Sequence, residues 1–233
     1  MFSDGTTSEL DAYVDPSLSL LDEACHELSR LDDANQARHW STANKTLSVL
    51  MPVFNERWTL AQIMERVLES ATGLQLEIVA VDDGSTDGSG DLLRAIADAD
   101  PRVKVISHDK NLGKGAAIQT AIQNMTGDVA VVQDADCEYD PSDFTRMLEP
   151  ILQNKADAVY GSRFAGTPRR VFMFWHTVGS HALTLLSNML NDLNLTDMGT
   201  GYKMIRTDLL RKLSLKGQSF TFDAELTCRL AQW

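Results

Sequence analysis

Between residues 46 and 160 the sequence alternates short apolar stretches with longer amphipathic ones. The pattern predicts strands at 47–53, 76–81, 103–107, 129–133 and 158–160, with helices at 56–70, 88–99, 113–124 and 141–153. Continuous apolar strands that are each followed by a helix indicate a parallel sheet covered on both faces. We therefore predict a doubly wound α/β unit with a Rossmann-like, mostly parallel sheet and helices on both faces.

The fourth predicted strand ends in a pair of acids. Residues 129–132 are all apolar, as in a buried strand, and Asp134 and Asp136 follow them with one residue between the two acids. Ligands of open α/β sheets bind beyond the carboxyl ends of the strands. Two carboxylates at that position can be joined to a diphosphate by a divalent cation. A D-x-D pair is a weak signal in isolation, so the other strand ends decide its meaning.

The first strand ends with polar groups at the start of a helix. Pro52 fixes the backbone, and Asn55 and Glu56 supply an amide and a carboxylate. A simple helix N-cap explains these two residues equally well.

The second and third strands also end in groups suited to a nucleotide. Asp82 and Asp83 at a buried strand end carry a desolvation cost unless something binds them, as a ribose or a base N–H does. A glycine turn with a cap is the alternative. Lys114, between Gly113 and Gly115, places a cation near phosphates. The spacing is that of neither a P-loop nor a dinucleotide fingerprint.

Bulk properties exclude several classes of protein. The net charge of −12 argues against a nucleic-acid partner. The three cysteines are widely separated, which favours a reduced cytosolic protein without a zinc site or disulfide framework. The chain opens with no secretory signal and has no run of about 18 apolar residues, so we expect no membrane span.

Residues 1–45 form an acidic extension. We predict an irregular lead over residues 1–14 and a helix that begins at Asp15-Pro16. This helix either packs on the main domain or binds a partner.

Four segments together resemble a known family. They are PVFNE, VDDGSTDGS, NLGKGAA and QDADCEYDP. In combination they resemble the family 2 glycosyltransferases, which have the GT-A fold, and especially the dolichol- and polyprenyl-phosphate mannose and glucose synthases. The resemblance extends over about residues 46–231.

The resemblance implies a role for each strand end. Pro52, Asn55 and Glu56 would line the nucleotide pocket, Asp82 and Asp83 would bind base and ribose, and Lys114 and Ala135 would contact the donor. Asp134 and Asp136 would hold Mg²⁺ or Mn²⁺ on the sugar diphosphate. Glu138 would be a further metal ligand, and its carboxylate is suitably hard.

Residues 161–233 would form the acceptor half. By resemblance, Arg163 would grip an acceptor phosphate, for which a guanidinium fork is suited; a surface salt bridge is the alternative. Arg169 and Arg170 precede an aromatic segment, 171–175. Cations beside aromatics favour a membrane interface, and a core helix behind a basic loop is the other interpretation.

Two acids complete the predicted acceptor side. Asp197 lies in a segment that resembles the D-x-x-T/S-G of the branch, with Gly199 where some relatives carry glutamate. Asp223 lies where hydroxyl-glycosylating relatives carry a T-E-D base, although Phe222 replaces the glutamate and an N-cap role is also open. Relatives commonly continue beyond the position of Trp233, so we expect a truncated form or a fragment.

The resulting hypothesis is an inverting, metal-dependent transfer of a hexose from a UDP- or GDP-sugar to a polyprenyl phosphate. The protein would be cytoplasmic, at the membrane surface where the lipid phosphate lies. One alternative is a hydroxyl acceptor with Asp223 as base. Others are a non-catalytic nucleotide-binding fragment and a sugar nucleotidyltransferase, although the latter usually has a glycine-rich basic loop after strand one.

Overall fold

The computed structural model describes residues 25–27, 44–165, 173–217, 219 and 221–233. The chain forms two compact units, residues 1–39 and 40–233. In the first unit residues 25–27 are helical, and the rest of the predicted N-terminal helix lies outside the described residues. Arg169, Arg170 and residues 171–172 also lie outside them.

The second unit is built on a six-stranded sheet. Its strands are β1 (Thr46–Val53), β2 (Gln75–Asp82), β3 (Val103–Ser107), β4 (Val129–Val132), β5 (Ala158–Tyr160) and β6 (Lys203–Arg206). Its helices are α1 (Leu60–Leu68), α2 (Ser89–Ala99), α3 (Lys114–Asn124), α4 (Phe144–Leu152), α5 (Phe174–Asn191), α6 (Thr207–Lys212) and α7 (Thr221–Ala231), and a 3₁₀ turn, Pro141–Asp143, precedes α4.

The sheet is mostly parallel, which confirms the predicted class. The strand order is β3-β2-β1-β4-β6-β5. β1 pairs in parallel with β2 and β4, and β2 pairs in parallel with β3. β6 is antiparallel to both of its neighbours, β4 and β5. Because β6 comes from residues beyond 160, the two predicted halves share one sheet.

Helices cover both faces of the sheet, as its strands required. One buried cluster joins Leu47, Val49 and Met51 of β1 to α1, α2 and α4. The other joins Leu50 of β1 and strand β2 to α3, α6 and α7. Alternate side chains of a strand point to opposite faces, so a strand buried on both faces must be apolar throughout.

The structure contradicts one of the two interpretations of segment 171–175. Residues 173–175 do not belong to a core helix, since Met173, Phe174 and Trp175 are 69–79% exposed. The core interpretation of segment 171–175 is therefore wrong for its described part. Within the described residues, no helix has both the length and the hydropathy needed to cross a bilayer.

Candidate active site

The carboxyl ends of the parallel strands meet at one cleft of about 340 Å³. Most of the predicted donor-side residues line it. The cleft is lined by Pro52, Val53, Phe54, Glu56, Asp83, Asn111, Lys114, Ala117, Asp134, Ala135 and Asp136. Residues from the ends of β1, β2, β3 and β4 thus surround a single space, at the edge where an open α/β sheet binds its ligands.

Asn55 ties two strand ends together. It has a left-handed backbone, with φ of 56°. Its backbone N–H donates to Ser85 Oγ at 3.0 Å, and its side-chain Oδ1 accepts from the backbone N–H of Thr86 at 2.8 Å. Glu56 N–H donates to Ser89 Oγ at 2.9 Å. These bonds fix the loop after β1 against the loop after β2, so Asn55 shapes the cleft from outside its lining.

The two acids at the end of β2, Asp82 and Asp83, accept hydrogen bonds from the protein itself. Asp83 is 2% exposed, and its Oδ1 accepts from His108 Nδ1 at 2.7 Å and from the Leu112 N–H at 2.9 Å. Its Oδ2 accepts from the Gly113 N–H at 2.8 Å. Asp82 Oδ1 accepts from the Ser85 N–H at 3.0 Å. A carboxylate has about four lone-pair sites, so Asp83 keeps roughly one for a base or ribose N–H or O–H.

Lys114 and Asp134 form an ion pair inside the cleft. Lys114 Nζ lies 2.6 Å from Asp134 Oδ1 and 2.7 Å from its Oδ2. Both side chains are partly exposed, by 31% and 16%. Lys114 is the first residue of α3, next to the loop that Asp83 holds. The predicted cation and the predicted metal ligand therefore occupy the same point of the cleft.

The acids after β4 fit a metal that also binds a diphosphate. Across the part of the chain that the structure describes, no three histidine, cysteine or acidic side chains are grouped closely enough to hold a metal alone. Mg²⁺ at phosphate sites usually takes one or two carboxylates and receives its other ligands from phosphates and water. Asp134 and Asp136 line the cleft and supply hard oxygen atoms of that kind. Glu138, whose N–H donates to Asp136 Oδ1 at 2.9 Å, stays a predicted third ligand.

The segment before β6 packs directly behind Asp134. A side chain at Gly201 would collide with Asp134 Oδ2, and its Cβ would lie 2.9 Å from the Tyr139 ring. The Gly201 N–H donates to Tyr139 Oη at 2.7 Å, and Tyr202 Oη donates to Gln133 Oε1 at 2.8 Å. Burial raises the pKa of Tyr139 to about 12, so its hydroxyl stays protonated at neutral pH. Two neighbouring loops are thereby fixed around Asp134.

Arg163 and Asp197 are brought together. Arg163 Nε donates to Asp197 Oδ2 at 2.8 Å, and one of its terminal nitrogens donates to Oδ1 at 2.9 Å. The Asp197 side chain is fully buried, and the Arg163 side chain is 13% exposed. The pair raises the pKa of Arg163, and it fixes the plane of the guanidinium.

Asp223 is paired with a buried cation. Lys203 Nζ lies 2.5 Å from Asp223 Oδ1 and also donates to the Thr200 carbonyl. The Lys203 side chain is 1% exposed, and Asp223 is 18% exposed. Burial lowers the pKa of Lys203, and the charge of Asp223 opposes that change. The predicted base is thus the counter-ion of a lysine.

Sequence reasoning missed two residues of this region. Lys203 lies in the segment DMGTGYK, and its role could not be inferred there, because β6 is recognised as a strand only through its pairing with β4 and β5. His108 directly follows β3, and its Nε2 bonds Thr120 Oγ1 at 2.9 Å while its Nδ1 bonds Asp83. No feature of the sequence signalled this link, because it depends on the strand order.

Comparisons with known proteins agree with this geometry. The family model Glycosyl transferase family 2 matches residues 48–214. A polyprenol monophosphomannose synthase of Mycolicibacterium smegmatis is 32% identical over 189 residues, which cover 78% of this chain and 70% of that protein. An undecaprenyl-phosphate mannosyltransferase of Micrococcus luteus is 31% identical over 192 residues, which cover 78% and 76%.

Solved structures show the same fold. One is a glucosyl-3-phosphoglycerate synthase from Mycobacterium tuberculosis in complex with UDP, with a TM-score of 0.59, 23% identity and coverage of 78% of this chain and 64% of that one. Another is a mannosyltransferase from Pyrobaculum calidifontis in complex with GDP-Man and Mn²⁺, with a TM-score of 0.57, 19% identity and coverage of 79% and 51%. The chain spans less than two thirds of each, and the fold it shares with them is the GT-A type. From the family match and the two relatives above 30% identity, we conclude that this chain belongs to glycosyl transferase family 2 and is a glycosyltransferase.

Proposed function

We propose that the protein transfers a hexose from a UDP- or GDP-linked donor to a polyprenyl phosphate, with inversion at the anomeric carbon and with Mg²⁺ or Mn²⁺. The observation that carries the proposal is the single cleft into which four strand ends bring Asp83, Lys114, Asp134 and Asp136. The names of the two relatives, a polyprenol monophosphomannose synthase and an undecaprenyl-phosphate mannosyltransferase, support the acceptor class.

On the donor side, each residue has a task that fits its position. Asp83 offers one remaining acceptor position to the base or ribose, and its bonds to the loop before Lys114 hold that loop in place. Lys114 places a positive charge where the diphosphate would lie. Asp134 and Asp136 would hold the metal, which offsets the charge that grows on the departing nucleotide diphosphate.

On the acceptor side, Arg163 is arranged to bind an anion. A guanidinium has five N–H donors in a fixed fork, and the Arg163 side chain directs two of them at Asp197. The other three N–H groups of its guanidinium make no hydrogen bond to the described residues and are available to a phosphate. A phosphate acceptor is already anionic and attacks without a general base, so it needs binding and orientation alone.

The pairing of Asp223 favours a phosphate over a hydroxyl acceptor. A hydroxyl must lose its proton to a positioned base, and Asp223 is the candidate for that task. Its carboxylate accepts from the Lys203 ammonium at 2.5 Å, so the ion pair already occupies one of the two oxygens that a proton-abstracting base would use. We therefore infer that Asp223 holds Lys203 and the Thr200 segment rather than abstracting a proton.

A transfer assay tests the proposal. UDP- and GDP-hexoses with labelled sugars are incubated with the protein, either metal or EDTA, and a polyprenyl phosphate or the matching polyprenol. We expect label in the lipid phase with one donor class, with polyprenyl phosphate and only with metal. Transfer to the polyprenol alone would instead favour the hydroxyl-acceptor alternative. Metal-dependent binding of nucleotide without transfer to either lipid would favour the non-catalytic alternative.

A further inference from the structure

In most amphipathic helices of globular proteins the apolar side faces the core, whereas in α5 it faces away from the core. At 3.6 residues per turn its large apolar residues fall on one half of the helix. We call this half the α5 apolar face and define it by Phe174, Trp175, Leu185, Leu186, Met189 and Leu190, which are 53–79% exposed. Thr184 is the buried residue of the helix. Its apolar half therefore faces outward.

The polar half fixes this orientation. Thr184 Oγ1 accepts from the Met198 N–H at 3.1 Å. Asn188 bonds Leu195 twice, through its Nδ2 to the Leu195 carbonyl at 2.8 Å and through its Oδ1 to the Leu195 N–H at 3.0 Å. A rotation that buried the apolar face would break these bonds and leave their partners unpaired inside the protein.

The helix packs on the segment that carries the acceptor-side ion pair. Asp197 lies between Leu195 and Met198, the two residues that the polar half of α5 holds, and it binds Arg163. The Phe164 ring, next to Arg163, contacts the His181 ring of α5 with centroids 4.5 Å apart. The α5 apolar face and the candidate phosphate-binding arginine thus belong to one packed unit.

We propose that the α5 apolar face inserts into the surface of a lipid bilayer and so brings Arg163 to the phosphate of a membrane-held acceptor; this rests on the proposed function. Exposed apolar patches beyond a few hundred Å² mark interaction sites. Six side chains of this size, each offering on the order of 100–200 Å², exceed that limit. An amphipathic helix of this kind lies in the membrane plane with its apolar half buried by 5–10 Å, as a rough guide.

Two features favour a bilayer over a second copy of the chain. A stable protein interface uses about 20–30 residues a side, whereas the α5 apolar face is one side of an 18-residue helix. The helix itself also contains no lysine, arginine, aspartate or glutamate, whereas the surfaces that bind protein partners usually carry polar side chains around an apolar centre. Binding to a bilayer requires apolar surface, and it needs neither an interface of about 20–30 residues nor charged side chains around it. An aromatic side chain such as Trp175 is also suited to the interfacial region of a bilayer.

The test is co-sedimentation of the full chain with zwitterionic phosphatidylcholine vesicles. Trp175→Glu, on the α5 apolar face, is compared with Trp58→Glu, a matched change at a tryptophan that is 91% exposed elsewhere. We expect the wild type and Trp58→Glu to bind vesicles with little dependence on salt, and Trp175→Glu to bind roughly tenfold more weakly or worse. Because both side chains are exposed, all three proteins should melt at similar temperatures.

Other outcomes would overturn the proposal. Equal vesicle binding by Trp175→Glu and the wild type would show that another surface binds lipid. A wild-type dimer that Trp175→Glu dissociates, without vesicle binding, would show that a second copy covers the face. Vesicle binding is measured without a donor or an acceptor. A failure of the proposed function can therefore be distinguished from a failure of the membrane proposal. A short, water-soluble isoprenyl phosphate should restore transfer by Trp175→Glu if α5 acts only through the membrane.

Discussion

At the scale of single residues, the ion pair between Lys203 and Asp223 connects three parts of the acceptor side. Lys203 opens β6, Asp223 lies in the first turn of α7, and the Lys203 ammonium also holds the carbonyl of Thr200. Thr200 precedes Gly201, which packs against Asp134. A change at Asp223 can therefore act through structure as well as through chemistry, and an experiment must separate the two.

A double-mutant cycle separates the two roles of Asp223. Asp223→Asn leaves a buried cation without its counter-ion, so it should destabilise the protein by about 3 kcal/mol. Adding Lys203→Met removes that cation, and the double variant should regain most of the lost stability. Transfer rates measured well below the melting temperatures should fall less than ~100-fold in the double variant. If the double variant is as stable as expected but its transfer rate falls by ~100-fold or more, Asp223 is the base.

Gly201 offers a second prediction at this scale. A methyl group there would displace the Asp134 carboxylate or the Tyr139 ring. Since a displacement of about 1 Å can cost ~100-fold in rate, Gly201→Ala should lower transfer by that order. Gly179→Ala is the matched control, because a Cβ at Gly179 meets nothing within 4 Å. Equal rates in the two variants would show that the position of Asp134 is not critical.

At the scale of elements, the carboxylate of Glu77 holds the turn before β4 in place by hydrogen bonds. This turn lies at the amino-terminal ends of the parallel strands, opposite the cleft. Glu77 of β2 accepts from Ser48 Oγ at 2.5 Å and from the Thr126 N–H at 2.8 Å. Burial alone would raise the pKa of Glu77, but the bonds from Ser48, Thr126 and Gly127 outweigh it and lower the pKa below 4.5. A lowered pKa means that this contribution to stability is complete above the ordinary pKa and is lost as the pH falls through the lowered one.

Glu77→Gln tests this assignment through pH dependence. The variant should be less stable at pH 7 by about 1–2 kcal/mol, because hydrogen bonds to a charged acceptor become bonds to a neutral one. Its stability should also fall less than that of the wild type as the pH drops below 4.5. Chemical denaturation at several pH values measures both effects, with Glu65→Gln on the exposed side of α1 as the control.

The elements differ in how far their sequences predict them. β1 to β4 and the helices after them were predicted within a few residues, since continuous apolar strands and amphipathic helices have distinct periods. α1 begins at Leu60 rather than at residue 56, because residues 56–59 form the turn that follows Asn55. β6 was not predicted: it has four residues, it opens with Lys203, and its strand character depends on pairing with β4 and β5.

The candidate site, like the fold, could be predicted from the sequence only in part. The cleft that Asp83, Lys114, Asp134 and Asp136 line could be anticipated, because the carboxyl ends of parallel strands must meet at one edge. The partners of the acids could not. Asp223 meets Lys203, and Asp83 meets His108, only once the order of the strands and the packing of α7 are fixed.

At the scale of the whole molecule, the second unit places its two candidate substrate regions on a shared frame. β6 lies beside β4 in the sheet, and the loop before β6 is bonded to the loop after β4 through Tyr139 and Gly201. Arg163 and Asp197 join the ends of the segment that contains α5. Arg163, the polar half of α5 and the loop after β4 are thereby all hydrogen-bonded to one segment, residues 195–201.

The most direct test of the account is whether a nucleotide diphosphate stabilises the protein through a metal at Asp136. We expect UDP or GDP to raise the melting temperature of the wild type only with Mg²⁺ or Mn²⁺, and by an amount that grows with ligand concentration over its Kd. Asp136→Asn should lose that shift, whereas Asp98→Asn on the exposed side of α2 should keep it. Equal shifts with EDTA, or equal shifts in the wild type and Asp136→Asn, would contradict the central claim that these strand ends form one metal-dependent nucleotide-sugar site.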